Sequence, residues 1–170
     1  EVVYYVKCTA AKEGIARVLP IGCISKNRQG EKLAPLHELA LAGVAGFSDD
    51  GTPAKSSRLM RQALESSRPL SLPVIDHCED TSLTTGGQIN EGFMSTKLGL
   101  KGIPAAAEEI IIARDVILAQ LTGGWLHIAH VSTEGAVDVI RRAKGNGIHV
   151  TAEVTPHHLY LSYEQVEGTD

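Results

Sequence analysis

Short apolar runs alternate along this chain with segments whose apolar positions recur every three or four residues. The first pattern reads as buried strands and the second as amphipathic helices. Residues 1–16 mix apolar and charged positions and predict a helix closed near Gly14. ARVLPIGCIS (16–25) predicts a strand, with a bulge or an end at Pro20 because proline cannot donate to a ladder. KNRQGEK (26–32) reads as a turn, LAPLHELALAG (33–43) as a helix stopped by Gly43, and VAGFSDDG (44–51) as the next strand. In SSRLMRQALESSR (56–68), Leu59, Met60, Ala63 and Leu64 share one helical face, and Ser56 or Ser57 can cap it. LPVIDHCED (72–80) is again a strand. The polar, glycine-rich stretch 81–102 predicts a long loop, of the kind that serves a function or moves. Pro104 then opens a helix over 104–121, with Glu108 and Glu109 at the positive end of its dipole. WLHIAHVS (125–132) predicts a strand, 133–147 a helix with a glycine stop at Gly145, and HVTAEVTPHHLYL (149–161) the last strand.

This order is a helix, four strand–helix units and a fifth strand. Strands alternating with helices imply right-handed crossovers and a parallel sheet. Five strands do not close an eight-stranded barrel. The expected fold is therefore α/β, a partial (β/α)₈ TIM-type barrel carrying roughly strands 3 to 7 and their helices. An open doubly wound sheet ranks second, because no GxGxxG follows the first strand.

Composition narrows the field. Of the 170 residues, 43% are hydrophobic, which is enough for one packed domain. The net charge of −4 and the dispersed basic residues argue against nucleic acid or an anionic membrane as partner. No apolar run is long enough to span a bilayer. Cys8, Cys23 and Cys78 form no paired or zinc-finger spacing and read as free thiols of a reducing cytoplasm. The chain begins at Glu1 inside a predicted helix and stops just after a motif, so an internal piece of a longer protein is expected, covering residues 1–170.

The chemistry sits at strand ends. FSDDG (47–51), DHCED (76–80) and HIAHVST (127–133) each close an apolar run with His, Asp or Glu. Parallel α/β folds place their reactive groups at the C-terminal ends of strands. Neutral imidazole and ionised carboxylate are ligands for first-row metals. Side chains alternate along a strand, so Asp76 and His77 should face opposite ways, and so should His127 and His130. Of Asp49 and Asp50, one can face a metal while the other bonds to backbone. Asp-Gly is also strong turn chemistry. Thr151, Glu153, Thr155 and His157 share parity, with Glu153 expected to be hydrogen-bonded. Each patch alone has an ordinary structural reading. Three in succession point to a metal site for hydrolysis.

FSDDG, DHCEDTSL, EGFMSTKLGLKGIPAAAEEIIIARDVILA, LHIAHVST and VTAEVTPHHLYL, in this order, resemble the dihydroorotases of the amidohydrolase superfamily, closest to the bacterial type with a metal-bridging Asp. The resemblance runs over essentially the whole chain, including VLPIG (18–22) and HELALAGVAGFSDDG (37–51). It implies a (β/α)₈ barrel with a small β-sandwich made from the chain ends. It also implies reversible hydrolysis of L-dihydroorotate to N-carbamoyl-L-aspartate in pyrimidine biosynthesis, with one or two Zn²⁺ per site. Matched position by position, Asp50, His77 and His130 are the metal ligands. The catalytic general-base Asp, the HxH of the first strand, the second strand, the last strand and the sandwich lie outside these residues. The piece alone is therefore expected to be inactive. Hydantoinases, dihydropyrimidinases and allantoinases share the barrel and the cyclic-amide chemistry, but normally carry a carbamylated Lys on the strand that here reads VAGFSDDG. A non-catalytic homologue that scaffolds aspartate transcarbamoylase is the other alternative. Beyond the small-molecule substrate, a second copy or the transcarbamoylase are the candidate partners.

Overall fold

The computed structural model describes residues 1–168. Chain order gives α1 (Val2–Glu13), α2 (Leu36–Ala42), β1 (Phe47–Ser48), α3 (Ser57–Ser67), β2 (Val74–Asp76) and α4 (Thr81–Thr84). It continues with β3 (Ile89–Asn90), α5 (Phe93–Leu98), β4 (Gly102–Ile103), α6 (Ala106–Thr122), β5 (Leu126–Ile128), α7 (Glu134–Gly145), β6 (Val150–Ala152) and α8 (Pro156–Tyr160). Local chemistry explains most boundaries. Ser56 caps α3 by accepting from the Leu59 amide, and Thr133 caps α7 by accepting from the Ala136 amide. Gly43 ends α2 in the left-handed conformation, at φ 90°, which glycine adopts without a Cβ clash.

Four strands form one parallel sheet in the order β1-β2-β5-β6. Each strand of the sheet lies beside its predecessor, with no reversal of order. A doubly wound sheet needs such a reversal, and a barrel wall does not. Register places Phe47, Val74, Leu126 and Val150 in one row, all buried. Behind that row stand Leu59, Met60, Ala63 and Leu64 of α3, Ile112 and Val116 of α6, and Ala136 and Ile140 of α7. Helix α3 packs beside α6, and α6 beside α7, as one layer. Each fully buried Leu or Ile in this layer contributes about 1.5–3 kcal/mol by leaving water. The opposite row, Ser48, Ile75, His127 and Thr151, is only half-buried. It faces the side that is the lumen of a barrel.

Three expectations change. Residues 16–25 form no strand: Gly22 makes a single parallel bridge to Phe47, and Pro20 contributes only its carbonyl, to the Ala45 amide. The stretch 81–102 is built rather than loose. It holds α4, β3 and α5, and Ile89 and Asn90 pair in parallel with Gly102 and Ile103. The last strand stops at Ala152, because Thr155 accepts from the His158 amide and caps α8 with Pro156 in its first turn. The shared parity of Thr151 through His157 therefore ends at the strand. Among the described residues, no helix is long and apolar enough to cross a membrane.

Candidate metal centre

Asp50 follows β1, His77 follows β2 and His130 follows β5, so three neighbouring strands deliver them to the same edge of the sheet. His77 Nδ1 lies 3.0 Å from His130 Nε2, and Asp50 Oδ1 lies 3.6 Å from the first and 3.4 Å from the second. Tetrahedral zinc with bonds of about 2.0–2.1 Å has ligand–ligand edges of about 3.3–3.4 Å. The triangle formed by these two nitrogens and one oxygen fits one face of such a tetrahedron, and the donor set suits zinc.

The local backbone decides which side chains converge. Asp49 is buried, and its carboxylate accepts from the Ile24 amide at 3.0 Å and from the Ser25 amide and hydroxyl. Asp50 turns the other way, its amide donating to Ser48 Oγ and its carbonyl accepting from Arg28. The tie between the two aspartates is thus broken by residues 24 and 25, far away in sequence. In the full-length protein, Asp49→Asn should lower stability and leave metal content near normal, whereas Asp50→Asn should lower metal content. Unfolding midpoints and metal analysis on the same preparations check this, and the reverse pattern would exchange the two roles.

His77 is oriented by Glu79, whose Oε2 lies 2.8 Å from His77 Nε2. The Thr84 hydroxyl, then the hydrogen bond to His77, hold the Glu79 carboxyl below its usual range. An anionic Glu79 keeps the imidazole proton on Nε2 and leaves Nδ1 free to bind a cation. Sequence inspection did not single out Glu79. The acid two residues beyond a strand-end histidine was its available signal.

His130 departs from strand alternation. Its φ of 37° is left-handed, a strained state for a residue with a Cβ. That reversal cancels the odd spacing from His127, and both rings lie on the lumen side. They occupy different levels. His127, level with Ile75, places Nδ1 2.8 Å from Thr151 Oγ1 and Nε2 3.5 Å from Glu153 Oε2. Trp125 Nε1 donates to the same Thr151 oxygen at 3.0 Å. His127 is thus engaged below the three donors. Glu153, expected to be hydrogen-bonded on the strand, instead lies just past the end of β6, exposed, with its carboxylate only near His127. His158, on α8, lines a cavity of about 290 Å³ beside the donors, together with Glu79, Thr84, Asn90 and Glu108.

A second group of acidic and sulfur atoms lies on the helix side. Asp76, Cys78 and Asp115 bring donor atoms within 4.8 Å of one another, all buried. Arg114 already supplies the cation there, with Nε 2.7 Å from Asp115 Oδ1 and a second nitrogen 3.5 Å from Asp76 Oδ2. Burial, then the adjacent Asp115, push the Asp76 carboxyl well above its usual range. Burial also pushes the Cys78 thiol well up, which keeps it protonated and inert. Arg114 donates to the Ala54 carbonyl at 3.0 Å, and Asp76 accepts from the Ala54 amide at 3.2 Å. The group clamps the loop after β1 to the end of β2.

Solved structures share this fold. L-hydantoinase from Arthrobacter aurescens superposes with a TM-score of 0.74 at 18% identity, covering 95% of this chain and 37% of that one. D-hydantoinase from Thermus sp. gives 0.57 at 22% identity, covering 84% of this chain and 32% of that one. The fold is that of part of a (β/α)₈ TIM-type barrel. The dihydro-orotase-like family profile matches residues 2–136, and the chain belongs to that family. It is 50% identical over 169 residues to a dihydroorotase of Pelotomaculum thermopropionicum, and 53% identical over 157 residues to one of Anaeromyxobacter sp. strain K. These alignments take in 99% and 92% of this chain but 39% and 36% of the relatives. The chain thus spans about two-fifths of the length of the curated relatives it matches.

Proposed function

We propose that the full-length protein is a zinc-dependent dihydroorotase, hydrolysing L-dihydroorotate reversibly to N-carbamoyl-L-aspartate in pyrimidine biosynthesis. Membership of the family supports the reaction class, and the convergence of Asp50, His77 and His130 within 3.0–3.6 Å carries the reading. In this reading the 170 residues supply those three ligands of a site holding one or two zinc ions. The rest of the barrel supplies the remaining ligands and the general base, and these residues alone are inactive. The chemistry such a metal supplies is Lewis acidity toward the ring amide carbonyl and a lowered pKa for water. This chain's own contribution is to hold the donors. Glu79 keeps the His77 proton on Nε2, Asp49 fixes the β1 turn from beneath, and His127 with Thr151 fills the level below.

A hydantoinase-type reaction is less well supported, because residues 44–51 contain no Lys to form a carbamylated bridge. The three free thiols, one of them buried, accord with a reducing cytoplasm. A second copy and aspartate transcarbamoylase are the proposed protein partners, the second also being the role of a non-catalytic homologue.

The test is dihydroorotate hydrolysis by the full-length protein, before and after a chelator and again after zinc is added back. Loss with the chelator and recovery with zinc is the expected result. A folded, zinc-loaded protein without turnover would redirect the reading to another cyclic amide. A folded protein that takes up no zinc and turns over nothing would indicate the scaffold.

A further inference from the structure

Helix α6 begins between the loops that carry the two histidine ligands. Glu108, in its first turn, accepts four hydrogen bonds from two consecutive residues. Its Oε1 receives the Ser132 amide at 2.9 Å and the Ser132 hydroxyl at 3.0 Å. Its Oε2 receives the Thr133 amide at 2.9 Å and the Thr133 hydroxyl at 2.6 Å. The preceding residue, Ala107, accepts from the Asp80 amide at 2.8 Å, in the loop that carries His77 and Glu79. One helical turn therefore fastens both ligand loops.

We infer that Glu108 is a positioning residue for the metal centre, holding His130 in its left-handed conformation. The inference rests on the metal-site reading above. A residue with a Cβ at positive φ costs about 1–3 kcal/mol and persists only where its surroundings over-determine it. On the N-terminal side of His130, the anchor is the sheet, where the Ala129 amide donates to the Asp76 carbonyl at 3.2 Å. On the C-terminal side, Val131 donates to the Glu153 carbonyl, and the next two residues are gripped by Glu108. The cap of α7 does not require this grip, since Thr133 already accepts from Ala136. Released from Glu108, the peptide after His130 is free to relax toward negative φ. That rotation would carry the imidazole away from its 3.0 Å approach to His77.

The experiment compares zinc affinity of the folded full-length protein, by competition with a chelating dye, for wild type and Glu108→Gln. Glutamine keeps the size but turns an NH₂ toward donors. Zinc affinity should fall about 10–100-fold, the range seen when groups behind metal ligands are removed. Once zinc is saturating, KM for dihydroorotate should return to the wild-type value. An affinity within about twofold of wild type, or a KM effect that survives zinc saturation, would overturn the positioning role and leave a structural cap or a substrate contact. Failure of wild type itself to bind zinc would overturn the site reading, and this proposal with it. Should Glu108→Gln not fold, Ser132→Ala removes one of the four bonds. It should weaken zinc by about two- to tenfold, as one net hydrogen bond is worth, and no change would again sink the proposal.

Discussion

Replacing His130 by alanine in the full-length protein should remove zinc and dihydroorotate hydrolysis together. His130 Nε2 is the donor closest to both others, 3.0 Å from His77 and 3.4 Å from Asp50, and its loss leaves one nitrogen and one oxygen from this chain. Removing a group that merely orients a ligand costs about 10–100-fold in metal affinity or activity, so loss of a ligand should exceed the upper end of that range. His127→Ala provides the contrast. Its ring is occupied by Thr151 and faces Glu153, one level below, and its loss should cost less than about tenfold in affinity, the lower end of that range. Metal analysis and turnover on the same samples decide the matter. Full zinc retention in His130→Ala would remove it from the ligand set, and equal losses in both variants would mean that His127 shares its role.

The second large effect concerns stability. Arg114→Met should destabilise the fold by about 3–5 kcal/mol, the usual cost of leaving buried charge uncompensated. Methionine preserves the apolar stem but removes the cation lying between Asp115, 0% exposed, and Asp76, 1% exposed. It also releases the Ala54 carbonyl. Against a total stability of about 5–15 kcal/mol, such a loss is severe. Asp115→Asn should be milder, because Asp76 remains to pair with Arg114 at 3.5 Å. Urea unfolding at neutral pH gives the comparison. A loss below about 1 kcal/mol for Arg114→Met would mean that the two carboxyls neutralise themselves by holding protons, and that the guanidinium is dispensable.

Periodicity was sufficient for the elements that bury one clear face. Helices α3, α6 and α7 stand where the apolar spacing put them, because Leu64, Ile112 and Ile140 each need the sheet to cover them. The strand ends, and with them the patches carrying Asp50, His77 and His130, were legible for the same reason. What escaped depends on contacts distant in sequence. Residues 16–25 are apolar enough for a strand, yet they make only isolated bridges, Gly22 to Phe47 and Ser25 to Leu33. The pairing of Ile89 with Gly102 that orders the 81–102 stretch leaves no periodic trace. The choice between Asp49 and Asp50 is made by the Ile24 and Ser25 amides. Helix α8 did have a local signal, since a threonine before proline is a capping pair, but the apolar alternation around it suggested a strand.

In the proposed function, the left-handed turn at His130 also sets ligand and backbone at odds. Glycine or asparagine would sit there with less strain than histidine does. Drift toward a more stable chain and retention of the imidazole thus pull the same codon in opposite directions. A lineage released from the need to bind metal would find replacement at this position among its least costly early changes.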